Sequence, residues 1–166
     1  MVISHAGKLP EGKVCRHALN APDLVRLFCD TAGVNIPWET HGRDVRPLLR
    51  DPESSEWDHP MLMTHTARSY GSDTDAIPTG EALTVTAEVP WYALLRDGKY
   101  KYIRTFVAGE VEEVYDLDAD PEELVNLALK PEHQALLVRL RERAIAELRR
   151  TNAGFVDTMP PTAAMK

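Results

Sequence analysis

The residues best equipped for chemistry fall in a few short stretches. Thr64, His65, Thr66 and Arg68 stand where the run PMLMTHT gives way to ARSYGSDTDAIPTG (67–80). Imidazole and guanidinium groups are suited to holding an anion. The same residues admit a structural role, with the histidine capping a sheet and the arginine paired with Asp73 or Asp75. Asp116, Asp118 and Asp120 share the opening spacing of an EF-hand loop. Its sixth and twelfth positions would be Pro121 and Leu127, where that loop needs Gly and Glu, so these acids read as a strand end and a helix cap. Lys99 and Lys101 form a small cationic patch on a predicted hairpin, read as a solvated face or as partners for acids. His5, His17, His41, His59 and His65 are too widely spread for a metal spacing, and Ser4-His5 and Ser69-Tyr70-Gly71 make no nucleophile elbow. Trp91 and the tyrosines read as core. Cys15 and Cys29 show neither metal spacing nor a disulfide framework; they read as buried free thiols, with a single bridge left open.

These groups need a scaffold, and the chain can build one. It has 166 residues, 43% hydrophobic and 27% charged, the balance of one ordinary globular domain. A net charge of −7, with Lys and Arg scattered among carboxylates, argues against nucleic acid as a partner. No signal-peptide pattern opens the sequence and no apolar run reaches membrane-spanning length, so neither a membrane nor a compartment is indicated.

Asn20, Pro22 and Asp23 predict a helix start, Leu24, Leu27 and Phe28 its apolar face, and Gly33 its stop. A short helix is expected near 44–50, ended by Asp51-Pro52, then strands at 60–66 and 83–89. The stretch 91–106 reads as a β-hairpin about Asp97-Gly98, with Arg96 opposite Lys99. Trp91, Ala93, Leu95, Tyr100 and Tyr102 then share one face, and Tyr92, Leu94, Lys101 and Ile103 the other. A turn at Ala108-Gly109 returns 111–116 as a third hairpin strand, setting Arg104 against Glu113, Lys101 against Asp116 and Tyr102 against Tyr115. Asp120 and Pro121 predict another helix start. Pro131-Glu132 open the last helix, with Leu137, Leu140, Ala144 and Leu148 inside and Arg139, Arg143, Glu147 and Arg150 outside. Phe155 and Val156 are candidate anchors, with disorder expected beyond Pro160. The sum is an α+β fold, an antiparallel sheet of about four strands packed against a long C-terminal helix.

The run LRDGKYKYI followed by EVYDLDADPEELVNLA and a long terminal helix resembles the C-terminal subdomain of the sulfatases, sulfuric-ester hydrolases of the alkaline phosphatase superfamily. Residues 20–49 are similar to that family's helix starting near a D-x-x-P-T pattern, followed by Ala-Gly, a proline and a G-x-S-L-x-P-L-L segment; here Asp44-Val45 replace Ser-Leu. The opening MVISHAGKLPEG resembles a passage that lies after the catalytic core, so it reads as a cut through a larger protein. The resemblance divides the chain into the end of the core with connecting helices (1–58), the sheet-and-helix subdomain (59–151) and a tail (152–166).

Sulfatases use a formylglycine made from Cys or Ser in C/S-x-P-x-R, with calcium holding the sulfate. No cysteine or serine here completes that motif, and the family's calcium ligands are missing. The resemblance therefore implies no cofactor in this chain, but calcium and formylglycine in an intact parent. It also implies a catalytic N-terminal domain as partner and a sulfated small molecule or glycan as substrate. His65 and Arg68 are then the candidate substrate-binding residues, on a loop beside the cleft. The alternative is a free-standing, non-catalytic α+β interaction module. A subdomain made to cover a catalytic part should also expose apolar residues, most of all between Val2 and Phe28.

Overall fold

The computed structural model describes residues 1–54, 56–80 and 89–163, and the strand expected at 83–89 lies outside the described residues but for its last position. The chain divides into two units, Met1–His59 and Pro60–Lys166.

In the first unit, helix α1 (Ala21–Ala32) begins as its sequence requires. The Asn20 amide donates to the Asp23 carboxylate (3.0 Å), while the Asp23 amide donates to Asn20 Oδ1 (3.4 Å), a reciprocal capping box. Gly33, at φ 68°, closes the helix in the left-handed conformation. Asp23, only 7% exposed, also accepts the Arg43 amide at 2.7 Å, tying the helix start to the segment twenty residues on. That approach needs Gly42, because a Cβ there would fall about 3.0 Å from the Asp23 nitrogen and closer still to the Pro22 carbonyl. Helix α2 (Arg46–Arg50) follows, with Val45 and Leu48 buried, as Leu27 of α1 is. Arg46 donates to Asp44 at 2.8 and 2.6 Å and holds that carboxyl at about 2. Phe28, expected on the inner face of α1, is 63% exposed. Cys15 is also exposed, against the expectation of a buried thiol, and neither cysteine is bridged.

In the second unit, β1 (Met61–His65), β2 (Tyr92–Asp97), β3 (Tyr100–Thr105) and β4 (Glu113–Asp116) form an antiparallel sheet in that order. Helix α3 (Gln134–Arg150) packs on it, after a 3-10 turn at Pro131–His133. The α+β architecture stands as the sequence indicated. One core cluster joins Leu95, Tyr102 and Val114 of the sheet to Leu137, Leu140 and Ala144 of α3; a second joins Trp91, Ala93 and Phe106 to Leu148 and Phe155. Each leucine, valine or phenylalanine among them contributes about 1.5–3 kcal/mol when removed from water.

Two registers differ from expectation. Asp97 pairs with Tyr100 and Arg96 with Lys101, so the turn residues are Gly98-Lys99, and the positive φ is carried by Gly98 (57°). Each partner moves by two residues, and a shift of two leaves every side chain on its face. Trp91, Ala93, Leu95 and Tyr102 are accordingly buried. Between β3 and β4 the slip is a single residue: Tyr102 faces Val114, Lys101 faces Tyr115 and Ile103 faces Glu113. That slip does change faces, turning Val114 (0% exposed) into the core and Tyr115 out of it.

The helix expected at Asp120-Pro121 does not form. Glu123 adopts φ 59°, the Asp116 carboxylate accepts the Asp118 and Ala119 amides, and Asp120 accepts that of Val125. These local bonds compete with helical ones, and only a 3-10 turn at Leu127–Leu129 follows. Glu147, expected outside α3, is 8% exposed and takes the Arg150 guanidinium at 2.9 Å. The tail is also held past Pro160: the Gly109 amide donates to the Pro161 carbonyl (3.0 Å) and the Ala163 amide to that of Glu110 (2.9 Å).

Candidate functional site

The sheet sets up a polar centre that the sequence did not single out. Glu112, just before β4, is 6% exposed and accepts the Tyr102 hydroxyl at 2.5 Å and Arg141 Nε at 2.8 Å, with a second bond from the same guanidinium. Burial opposes its ionisation, but the bonds from Arg141 and Tyr102 outweigh burial and hold its pKa below the ordinary glutamate value. Burial and the same carboxylate push the Tyr102 phenol far up. Asn126 completes the arrangement: its Nδ2 donates to the Glu112 carbonyl (3.0 Å), and its Oδ1 accepts the amides of Val114 (3.0 Å) and Ala128 (2.9 Å). Asn126 therefore welds β4 to the turn that leads into α3. The acid pair within VEEV and the Asn before Leu-Ala are the signals that could have pointed to the two residues.

Arg141 and Glu112 also line a cleft of about 540 Å³ with Gln134, Leu129 and Thr162. Paired as they are, they offer it no unbalanced charge. The cationic patch is likewise engaged. Lys99 binds Asp116 at 2.7 Å, and Lys101 binds Glu123 while lying over the Tyr115 ring at 5.8 Å. Asp97 in the hairpin receives Arg139 (2.8 Å) and Arg143 (3.4 Å) from α3.

His65 and Arg68 part company at the end of β1. The His65 ring stacks on Tyr92, its cross-strand neighbour, at 5.2 Å and 20°, and its Nε2 is buried without a hydrogen-bond partner among the described residues. Ala67 then takes φ 52°, which turns the chain away from the strand. Thr66 spends its hydroxyl on the Ser69 carbonyl at 3.1 Å and accepts the Ser69 amide at 3.0 Å. Arg68 is exposed, and among the described residues no ion pair joins it to Asp73 or Asp75. A 3-10 turn, Gly71–Thr74, follows, closed by the Thr74 hydroxyl on the Gly71 carbonyl at 2.7 Å.

Among the described residues no group of three His, Cys, Asp or Glu side chains is arranged to hold a metal ion, and no helix is long and apolar enough to cross a membrane.

No family model matches the chain. It is 29% identical over 142 residues to a delta 4,5-hexuronate-2-O-sulfatase of Bacteroides thetaiotaomicron, covering 84% of this chain and 26% of that protein. Over 131 residues it is 30% identical to a choline-sulfatase of Rhizobium meliloti, covering 75% and 21%. The chain is similar to sulfatases. Among solved structures, a phosphonate monoester hydrolase of Silicibacter pomeroyi aligns at a TM-score of 0.63 and 21% identity, over 91% of this chain and 29% of that one. The structure of a 2-O GAG sulfatase aligns at 0.56 and 23%, over 86% and 27%. These structures share the fold of this sulfatase-like chain, which spans about a quarter of the length of the curated relatives it matches.

Proposed function

We propose that this chain is the C-terminal subdomain of a sulfatase-type hydrolase, which supports and completes a catalytic part without carrying the chemistry itself. The observation that carries this reading is the lopsided match: 75–89% of the chain against 21–26% of each curated relative. The chain's own residues do not fit the calcium and formylglycine of such enzymes. Neither cysteine nor any serine stands in C/S-x-P-x-R, and of the acids that resemble a metal loop Asp116 is spent on Lys99 and two backbone amides and Asp120 on the Val125 amide. In an intact parent those groups would belong to the N-terminal catalytic domain, and the substrate would be a sulfated small molecule or glycan. Supporting the reading, the first unit exposes large apolar side chains: Val2 is 92% exposed, Val14 62%, Phe28 63% and Trp38 61%. Gathered on one face, such side chains would make a partner surface. Of the residues proposed to meet substrate, Arg68 already faces solvent, whereas His65 is half-buried with its ring stacked on Tyr92.

The purified chain should hydrolyse no aryl sulfate above background, with or without calcium, and should bind an apolar-surface dye. Turnover that survives repurification would overturn this reading, and a monomer that binds no dye would favour the independent module.

A further inference from the structure

The tail after α3 is held in two ways that differ in kind. As far as Met159 it is held by burial: Phe155 is 3% exposed in its cluster with Trp91 and Phe106, and Met159 packs against that cluster. Beyond Met159 the hold passes to backbone hydrogen bonds. The Pro160 carbonyl accepts Arg104 Nη2 at 2.7 Å, the Pro161 carbonyl accepts the Gly109 amide at 3.0 Å, and the Ala163 amide donates to the Glu110 carbonyl at 2.9 Å. These contacts suit proline, because they take the carbonyls of residues 160 and 161 and ask nothing of nitrogens that carry no hydrogen. Met159, at φ −57° and ψ 132°, enters the run in the extended conformation that a following proline imposes.

Thr162 and Ala163 also line the cleft of about 540 Å³, together with Val111, Leu129, Gln134 and Arg141. Val111 and Leu129 are still 45% and 56% exposed, so the two small tail side chains leave large apolar ones uncovered. The tail thus satisfies the backbone part of the site and underfills its side-chain part.

We propose that Arg104, Gly109, Glu110 and the adjoining cleft form a docking site for an extended peptide of a partner protein, Pro-Pro followed by a large apolar residue. The chain's own tail, Pro160–Ala163, is a strap that holds this site closed until such a peptide displaces it. Gly109 and Glu110 read the peptide backbone, Arg104 supplies a charge-assisted donor, and the cleft selects the side chain after the prolines. The strap can leave because three hydrogen bonds at exposed or half-buried positions only narrowly offset the ordering of its residues, while Phe155 and Met159 stay seated. The proposal stands apart from the sulfatase reading, since it concerns a peptide and not a substrate.

Hydrogen exchange in the full chain follows the strap. The Ala163 amide should exchange about tenfold more slowly than in the isolated peptide 157–163, acetylated and amidated. Arg104→Met should remove most of that protection in a protein that keeps its near-ultraviolet signal. Thr162→Leu, which fills the cleft, should slow the same amide about tenfold further. The peptide and its Thr162→Leu form are then titrated into the parent and into Ala163→Pro, which lacks the strap's donor. Both should bind Ala163→Pro more tightly than the parent, the leucine form about tenfold the better. Saturating the parent with the leucine form should release the Ala163 amide. An Ala163 amide that exchanges in the parent as fast as in the isolated peptide would overturn the strap. Failure of both peptides to bind Ala163→Pro would overturn the docking site, and a leucine form that binds no better than the native peptide would overturn the role of the cleft.

Discussion

Replacing Asn126 by Ala removes three hydrogen bonds at once, to the Glu112 carbonyl and from the Val114 and Ala128 amides. Val114 is 0% and Ala128 3% exposed, so those amides are poorly placed to bond to water instead. A buried polar group left without a partner costs about 1–3 kcal/mol. Asn126 itself is only half-buried, so water can replace part of what is lost, and a total of about 3 kcal/mol is expected for the three groups. In a unit of this size that is a fall in Tm of about 12–24 °C. Asn126→Asp keeps both accepting contacts but sets a carboxylate oxygen against the Glu112 carbonyl in place of the donor, so it should destabilise as well. Thermal unfolding followed by near-ultraviolet circular dichroism, which reports buried Trp91 and Tyr102, measures both variants. An alanine variant melting within about 2 °C of the parent, or an aspartate variant as stable as the parent, would refute the reasoning.

Further outcomes follow from the same centre. Glu112 has a folded pKa below its unfolded value of 4.5, so its contribution is complete above that value and lost as pH falls through the folded one; Glu112→Gln should flatten the acid limb of a stability-pH curve. Burial, aided by Glu113, pushes Tyr115 up to about 12, and Tyr102 goes further still. A phenol raised in this way stabilises the fold below the unfolded value of 10.0, and that contribution is lost as pH rises through about 12, so phenolate absorbance should show these two tyrosines ionising last. Phe155→Ala should cost about 3–5 kcal/mol in urea unfolding, because the ring is 3% exposed and lies 5.0 Å from Phe106 and 6.4 Å from Trp91.

The elements that bury a periodic apolar face were legible, because alternation in β2 and β3 and the three-four spacing in α3 report burial directly. Pairing between strands was less so. Arg104 and Glu113 look like a cross-strand ion pair, yet Arg104 donates to the Pro160 carbonyl at 2.7 Å and Glu113 accepts the Tyr115 hydroxyl at 2.6 Å. Burying Val114 decided that register, and charge did not. Similarly, Asp120-Pro121 has a helix-start composition, but the neighbouring aspartates satisfy backbone amides locally and Glu123 turns the chain the other way. The tail beyond Pro160 looked unanchored because its bonds to Gly109 and Glu110 are made by the backbone, which has no signature in side-chain types. At the candidate site, the turn-rich loop and its arginine were visible in the sequence. Their support was not: Asp75 is pressed against Gly154, 79 positions away, where a Cβ would lie 2.9 Å from the Asp75 Cα. The separation of His65 from Arg68 depends on the backbone angle of Ala67, which composition does not reveal.

The most direct test of the proposal that this chain completes a catalytic part is the reading frame upstream of the Met1 codon. An in-frame segment carrying C/S-x-P-x-R and the paired aspartates of a calcium site should precede it. A stop codon immediately upstream, with no such segment encoded as a partner nearby, would contradict the proposal and leave the fold as an independent module.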